Sequence, residues 1–354
     1  MSCKKLSLRN RFSLYCAFII TVMIFTACRP RAEPFMAIFA MDTICIIMLY
    51  DQARPEVYEN IFARILEIES RMSLFLPDSD ISRVNAAAGI MPVRVHDDVF
   101  KVIERALLHA ELSGGAFDPT VGPLSNLWGI GTDAYRVPDQ EEIDAVLQLV
   151  NWRDVELNRE QKTVFLRRPG MALDLGSIAK GYAADESAEI IRRARLRRGL
   201  VDLGGNVVTH GVKQDRTPWR VGLQNPLGQR GSFIGVISGW DMTVVTSGVY
   251  ERYFIYDGVR YHHIFSPLDG HPARTGFLSA TIVSNVLAPG GTLSTSMDAD
   301  ALSTSIFVLG YEKGRALIES LEGVDAVFVF EDMTVSTTGG VDFVLTDHSF
   351  RLLN

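Results

Sequence analysis

Between Ser232 and Ile264 the chain alternates in steps of two: Phe233-Ile-Gly-Val-Ile237, Met242-Thr-Val-Val245, Tyr253-Phe-Ile-Tyr256 and then Tyr261–Phe265. Successive side chains of a strand point to opposite faces, so such runs predict half-buried strands. Asp257-Gly258 separates the last two runs and supplies the residue types of a tight hairpin turn. Hairpins build antiparallel sheet, which argues against a doubly wound parallel architecture. Elsewhere the period is helical. Val57, Ile61, Ile65 and Ile68 recur on one face of a helix expected from Arg54 to about Ser73. Further helices are expected over about Asp97–Ser113, Gln140–Val150, Asp298–Leu309 and Glu312–Glu322, with strands at Thr43–Tyr50 and Ala326–Phe330. The region Thr163–Leu223 reads as strand, helix, strand, strand, and Phe75–Asp80 as a loop. The fold class is therefore α+β with antiparallel sheets, and 354 residues allow one large domain or two lobes with ample core.

The N-terminus follows different rules. Lys4, Lys5, Arg9 and Arg11 precede an apolar run from Phe12 to Phe25. That run is shorter than the roughly 18–20 residues of a spanning helix, so an export signal over 1–27 is expected. It ends in Phe25-Thr-Ala-Cys28, which resembles a lipobox, with Cys28 lipidated and residues 28–40 a tether to a folded body over 41–354. An uncleaved membrane anchor is the other reading. Both place the body on the far side of a bacterial membrane, the inner membrane with the body in the periplasm. With Cys3 and Cys16 in the signal and Cys28 lipidated, Cys45 is left alone in Thr43-Ile-Cys-Ile-Ile-Met-Leu49, expected as a small buried hydrophobe. Removal of residues 1–27 takes the net charge from −7 to −11, and no basic stripe marks a nucleic-acid partner. A phosphorylated ligand would need local dipoles, a few cations or a metal.

Six places carry residues suited to that task. In Asp174-Leu-Gly-Ser-Ile-Ala-Lys180, an apolar lead-in (Val164–Leu166, then Met171–Leu173) delivers a carboxylate. A small-residue turn at Gly176-Ser177 follows, then a helix running to about Arg198 that carries Lys180. Backbone N–H groups at a helix start attract anions, but an ordinary strand–turn–helix corner has the same appearance. Asp300 and Thr304 lie four apart on a helix and so share a face, a hard-oxygen pair suited to Mg²⁺. Asp298 and Asp300 also suit a helix N-terminus electrostatically; that reading is preferred for Asp298 and left open beside the metal for Asp300. His262 and His263 alternate on a strand, so one can face a site as a general base while the other packs. Arg252 is either a phosphate fork or an ion-pair partner of an acid such as Glu251. Gly114–Thr120, with Asp118, reads as a ligand loop or as a helix C-cap and turn, and Gly204-Gly205 as a bulge or a close approach to ligand.

Met41-Asp-Thr43, Met72-Ser-Leu-Phe75, Pro77-Asp-Ser79 and Ser82-Arg-Val-Asn85 are followed by Gly115-Ala-Phe-Asp118 and Asp174–Gly181. Leu203-Gly-Gly-Asn206, Thr246-Ser-Gly248 with Tyr250-Glu-Arg-Tyr253, His263-Ile and Ala299-Asp-Ala-Leu-Ser-Thr304 complete the series. In this order they resemble the ApbE-type family, the FAD:protein FMN transferases, over about residues 38–345. The resemblance implies a two-lobed molecule with FAD in a cleft between lobes and Mg²⁺ bridging its pyrophosphate. FMN would pass to a threonine of a client flavoprotein with release of AMP. Asp300 and Thr304 match metal ligands, with an oxygen of the Ser177–Ala179 turn completing the set. Met41, Phe75, Ala116, Phe117, Asp118, Asp174 and Lys180 match flavin-contacting positions, and His263 matches the base for the acceptor hydroxyl, with Arg252 and Lys180 sharing charge neutralisation.

Three positions depart from the family pattern: Asp42 replaces a common glycine, Ser266 a common aspartate, and Ser303 an alanine. Two other functions stay in view: an FAD pyrophosphatase releasing FMN and AMP, as in some spirochaetal family members, and a flavin-binding lipoprotein without turnover. Retention of His263, Asp300, Thr304 and Lys180 together argues against the last, because binding alone needs no base.

Overall fold

The antiparallel pattern of residues 232–264 turns out to govern most of the chain. In the computed structural model, which describes residues 35–51, 53–285, 293 and 295–353, nine strands lie side by side in chain order. They are Phe35–Ala40, Thr43–Leu49, Arg198–Leu203, Asn206–Gly211, Met242–Gly248, Phe277–Asn285, Val324–Phe330, Thr334–Thr337 and Arg351–Leu352. Neighbours are antiparallel except the last pair, which is parallel. The pairings Phe35 with Met48, Leu49 with Gly199 and Arg198 with Gly211 mark one end of this sheet, where the described chain begins. The turns Met41-Asp42 and Gly204-Gly205 and the strand terminus Gly248 mark the opposite end. Small sheets of Trp219–Gln224, Phe233–Gly239 and Asp342–Leu345, of Val93–Arg94, Val155–Asn158 and Thr163–Leu166, and the hairpin Tyr253–Tyr256 with Val259–His262 flank it.

Among the described residues the helices are Pro55–Met72, Asp80–Ala86, Asp97–Leu112, Gly122–Trp128, Gln140–Leu147, Ala179–Arg193, Ser296–Leu309 and Tyr311–Glu319. None is long and apolar enough to cross a membrane. The first opens with Pro55, whose fixed φ suits a first helical turn, and buries Tyr58, Ile61, Phe62, Ile65, Ile68 and Met72. Each such side chain contributes roughly 1.5–3 kcal/mol on leaving water. Two core clusters share the sheet, one under the helices Pro55–Met72, Asp97–Leu112 and Ala179–Arg193, the other under Ser296–Leu309 and Tyr311–Glu319. The helix Ser296–Leu309 contributes to both, with Met297 and Ala301 in the first and Leu302, Ile306 and Phe307 in the second. It is buried nearly all round, its Asp298, Asp300, Ser303 and Ser305 included.

Several expectations are corrected. Phe35–Ala40, read as tether, is the edge strand of the sheet; its sequence Phe-Met-Ala-Ile-Phe-Ala is apolar throughout, which hides the period. The helix expected to reach Arg198 stops at Arg193, because Arg195 takes a positive φ and the chain turns into the strand Arg198–Leu203. Met171–Leu173 forms only one bridge, Ala172 to Val121. The strand read over Tyr261–Phe265 ends at His262. The short helices Asp80–Ala86 and Gly122–Trp128 were not anticipated, being too brief for a helical period to show. Cys45 is buried as expected, its thiol pushed up to about 11 by burial despite the Ala40 carbonyl it meets. The export signal and Cys28 lie outside the described residues.

Candidate active site

The turn end of the sheet carries a cavity. Its wall takes Met41, Ala116, Phe117, Asp118, Asp174, Ser177, Lys180, Arg252, His263, Asp300 and Thr304. An adjoining hollow shares Met41, Asp174, Lys180, Arg252 and His263 with it and adds Phe75. Every residue that the resemblance matched to the site, Cys28 excepted, thus lines one of these two adjoining hollows, whereas His262 and Asp298 do not.

Local structure explains each placement. Met41 and Asp42 form the turn between the first two strands, and both have positive φ, 52° and 58°. A two-residue hairpin turn of this hand needs exactly such a pair of left-handed residues, which glycine, asparagine and aspartate tolerate best. Asp42 therefore keeps the turn that a glycine would make, and its Oδ2 stands 3.9 Å from Arg252 Nη1. The Glu69 carboxylate holds the turn from below, accepting from the Met41 N–H at 2.6 Å. Opposite it, Gly204 has φ 64° and lies where a Cβ would collide with the Thr43 hydroxyl, so this pair of turns tolerates only glycine there. Asp174 accepts from Ser125 Oγ at 2.7 Å and from Gly176 N–H at 2.8 Å, which fixes the corner leading to Lys180. Lys180 Nζ caps the Gly176 carbonyl at 3.2 Å and stays at the cavity wall. Asp118 is spent mostly on its own loop: it accepts from Thr120 N–H, Thr120 Oγ1 and Trp152 N–H. Burial raises its carboxyl all the same. Gly114 and Gly115, both at positive φ, end the helix Asp97–Leu112, so the C-cap reading and the cavity-loop reading hold together. Ser266, where the family pattern has an acid, accepts from Leu268 N–H and shapes a turn through Gly270 and His271.

The two helices at the back of the cavity are locked to each other. Gly181 N–H donates to Asp300 Oδ2 at 2.9 Å, and Ser296 and Met297 N–H both donate to Asp185 at 2.9 Å. A Cβ on Gly181 would meet the Ser296 carbonyl, so glycine permits this approach. The lock holds Asp300 and Thr304 at the cavity wall. Asp298 belongs elsewhere, as expected: it completes a capping box with Thr295 and faces Arg105 and His109.

The sequence around Ser247 shows no role for its hydroxyl, and the structure supplies one. Ser303 Oγ donates to the Asp300 carbonyl at 2.9 Å, and Ser247 Oγ meets Ser303 Oγ at 2.8 Å and Thr304 Oγ1 at 3.2 Å. A hydroxyl has one proton. With Ser303's proton on the carbonyl, Ser303 accepts from Ser247, and Ser247 in turn accepts from Thr304. The chain of donors commits the Thr304 proton to Ser247 and leaves the Thr304 lone pairs free for a cation, as a ligand must have them. Together with the Asp300 carboxylate and the turn at Ser177, this donor set fits a hard divalent ion that keeps several ligand positions for water or phosphate.

The two histidines divide as the alternation implied. His262 is buried, its Nε2 on the Ala273 carbonyl and its ring edge-on to Phe307. Its pKa falls to about 4 through burial first. His263 reaches the cavity, with Nδ1 3.2 Å from the Arg252 carbonyl. A carbonyl only accepts, so Nδ1 carries the proton and Nε2 is the free lone pair. Burial first, then the positive charge of Arg252, holds His263 well below the ordinary histidine value, so it is neutral at pH 7. A neutral imidazole pointed at a cation-lined wall is suited to take a proton from a hydroxyl.

The sequence and the fold are similar to those of known proteins. Residues 41–328 match the ApbE family. A Treponema pallidum protein named FAD:protein FMN transferase is 41% identical over 319 residues, 85% of each chain. A Klebsiella pneumoniae protein of the same name is 36% identical over 89% of this chain and 95% of its own. The fold is similar to the crystal structure of the ApbE protein of Thermotoga maritima, with TM-score 0.78 and 33% identity, covering 86% of this chain and 96% of that one. It is also similar to the flavin transferase ApbE of Vibrio cholerae, with TM-score 0.73 and 28% identity over 89% and 97% of the two chains. The chain belongs to the ApbE family.

Proposed function

We propose that this protein is a Mg²⁺-dependent FAD:protein FMN transferase that moves FMN from FAD to a threonine of a client flavoprotein and releases AMP. The observation that carries this reading is the juxtaposition, on one wall, of a neutral His263 with an open Nε2 and the Asp300–Thr304 oxygen pair. His263 takes the threonine proton at Nε2 while the hydroxyl oxygen bonds to the FMN phosphorus. The phosphoanhydride bond breaks, and AMP leaves with its electron pair. Arg252 and Lys180 bring positive charge to this wall, and Met41, Phe75 and Ala116–Asp118 provide surface for the flavin. A magnesium ion held by Asp300, Thr304 and an oxygen of the Ser177 turn would neutralise the pyrophosphate, which matters more to phosphoryl-type transfer than covalent help does.

The test is incubation of the protein with FAD, Mg²⁺ and a client flavoprotein, following AMP and protein-bound flavin by mass. AMP with flavinylated client is expected; AMP with free FMN alone would make the enzyme a pyrophosphatase, and no AMP would leave only binding. His263→Gln is expected to slow transfer by roughly 10²–10⁴-fold with FAD affinity little changed. Equal loss of both would make the histidine structural. Because its pKa lies well below 6.5, the wild-type rate should stay level as pH falls from 8 to 6.5 and decline only below that.

The donor chain from Thr304 gives a separate expectation. Ser247→Ala should weaken Mn²⁺ binding, read by electron paramagnetic resonance, by roughly tenfold, as losses of outer hydrogen-bond partners do. Unchanged Mn²⁺ affinity in Ser247→Ala, alongside a loss in Thr304→Val, would remove the orienting role while leaving the ligand role intact.

A further inference from the structure

The end of the sheet opposite the cavity has its own chemistry. A surface hollow there is lined by Arg197, Arg198, Lys213 and Arg216, with Val212 and Gln214 and no carboxylate on its wall. Arg195 adds another exposed cation on the same turn. Of the acids nearby, Glu189 pairs with Arg192 and Arg193, Asp51 offsets Arg198, and Asp215 accepts from Thr217 and keeps its charge beside Lys213, which leaves the patch with a net excess of positive charge. Exposed Val212 lines the hollow, exposed Tyr50 meets Arg198 through its backbone, and exposed Phe35 lies at the same end of the sheet, in a protein whose net charge is negative. The sheet register places the patch: Phe35 pairs with Met48, Tyr50 N–H donates to the Arg198 carbonyl, and Arg198 pairs with Gly211. The basic patch is therefore at the end where the described chain begins, and a strand of six residues, about 20 Å, separates it from the cavity end.

We infer that this end docks on an anionic lipid surface, with the active site turned away from the bilayer. The inference rests on the reading that the chain is membrane-anchored at or before Cys28. From Cys28 to Phe35 is seven residues, a reach of at most about 25 Å when fully extended. A tether so short holds the chain-entry end of the body close to the headgroups. Cations brought within a Debye length of an anionic surface, about 8 Å at physiological salt, are attracted to it, and flanking aromatic and aliphatic side chains suit the interface. The opposite end, with the cavity, is then left free for a client protein.

The test uses the anchored full-length protein reconstituted in vesicles of phosphatidylcholine, with or without phosphatidylglycerol. A fluorophore is attached at Gln214→Cys, or at Leu268→Cys beside the cavity wall, and quenched by spin-labelled lipid. With anionic lipid, quenching at 214 should exceed quenching at 268 by at least threefold. That ratio should collapse when Arg195, Arg197 and Arg216 are changed to glutamate, or in phosphatidylcholine alone. Equal quenching at both positions, stronger quenching at 268, or indifference to the charge reversals would overturn the inference. Flotation with phosphatidylcholine vesicles checks the anchor by itself: protein that stays in solution there removes the anchor reading and this inference together, whereas protein that floats with equal quenching removes only the inference.

Discussion

Asp300→Asn should reduce FMN transfer by roughly 10³-fold, equivalent to about 4 kcal/mol of transition-state stabilisation, without unfolding the chain. The substitution is chosen for what it preserves. Asp300 Oδ2 accepts from Gly181 N–H at 2.9 Å, and an asparagine carbonyl in the same place still accepts that bond. The lock between the helices Ala179–Arg193 and Ser296–Leu309 stays closed, and Ser303 keeps its backbone acceptor. What is lost is the negative charge beside Thr304, on the wall that also bears Lys180 and Arg252. An amide is a weak ligand for a hard divalent cation compared with a carboxylate. Mn²⁺ binding should therefore fall with activity, while the urea midpoint stays within a few tenths of molar of wild type. Transfer within tenfold of wild type would sink the metal role of Asp300 and return this carboxylate to a purely structural task.

The sequence made the wall readable but not the means by which it is held. Helical spacing puts Asp300 and Thr304 on one face and strand alternation separates His263 from His262, but it was the family resemblance that gave the first two a metal and picked His263 as the base. Ser247 was invisible as a partner, since its hydroxyl meets Ser303 and Thr304 only after the strand Met242–Gly248 packs under the helix. Asp185 likewise looked like the tail of a motif, and its task of capping another helix 111 residues away depends on tertiary packing. Asp42 illustrates the reverse case: a residue that departs from the family pattern looked like a risk to the site. Its φ of 58° shows that the position demands a left-handed conformation, which aspartate accepts at modest cost. Strand boundaries failed where the local pattern was uniform, as in Phe35–Ala40, and short helices failed where no period could develop.

Asp298→Ala should cost about 3–5 kcal/mol of folding stability, the range for breaking one member of a buried ion cluster. The side chain is fully buried, and Arg105 approaches it through Nε at 2.5 Å and Nη2 at 2.9 Å while His109 Nε2 stands at 2.9 Å. It also accepts from Thr295 Oγ1 at 2.7 Å, closing the N-terminal cap of the helix that carries Asp300 and Thr304. Truncation would leave fully buried His109 and largely covered Arg105 facing a void, and would open the capping box as well. The same cluster sets a pH signature. Burial alone would raise the Asp298 carboxyl, but the bonds from His109 and Arg105 outweigh it and hold it at about 2, against 3.8 in the unfolded chain. A depressed carboxyl stabilises the fold above the unfolded value and loses that contribution as pH falls from about 4 towards 2. The contribution is about 2 kcal/mol at one pKa unit per 1.36 kcal/mol. Urea unfolding of wild type should therefore show a steep loss of stability below pH 4 that is shallower in Asp298→Asn. A cost under 1 kcal/mol for the alanine variant, or an unchanged acid slope for the asparagine variant, would show that Arg105 and His109 find other partners. The helix presenting Asp300 would then be held by its core packing and its bonds to Asp185 and Gly181.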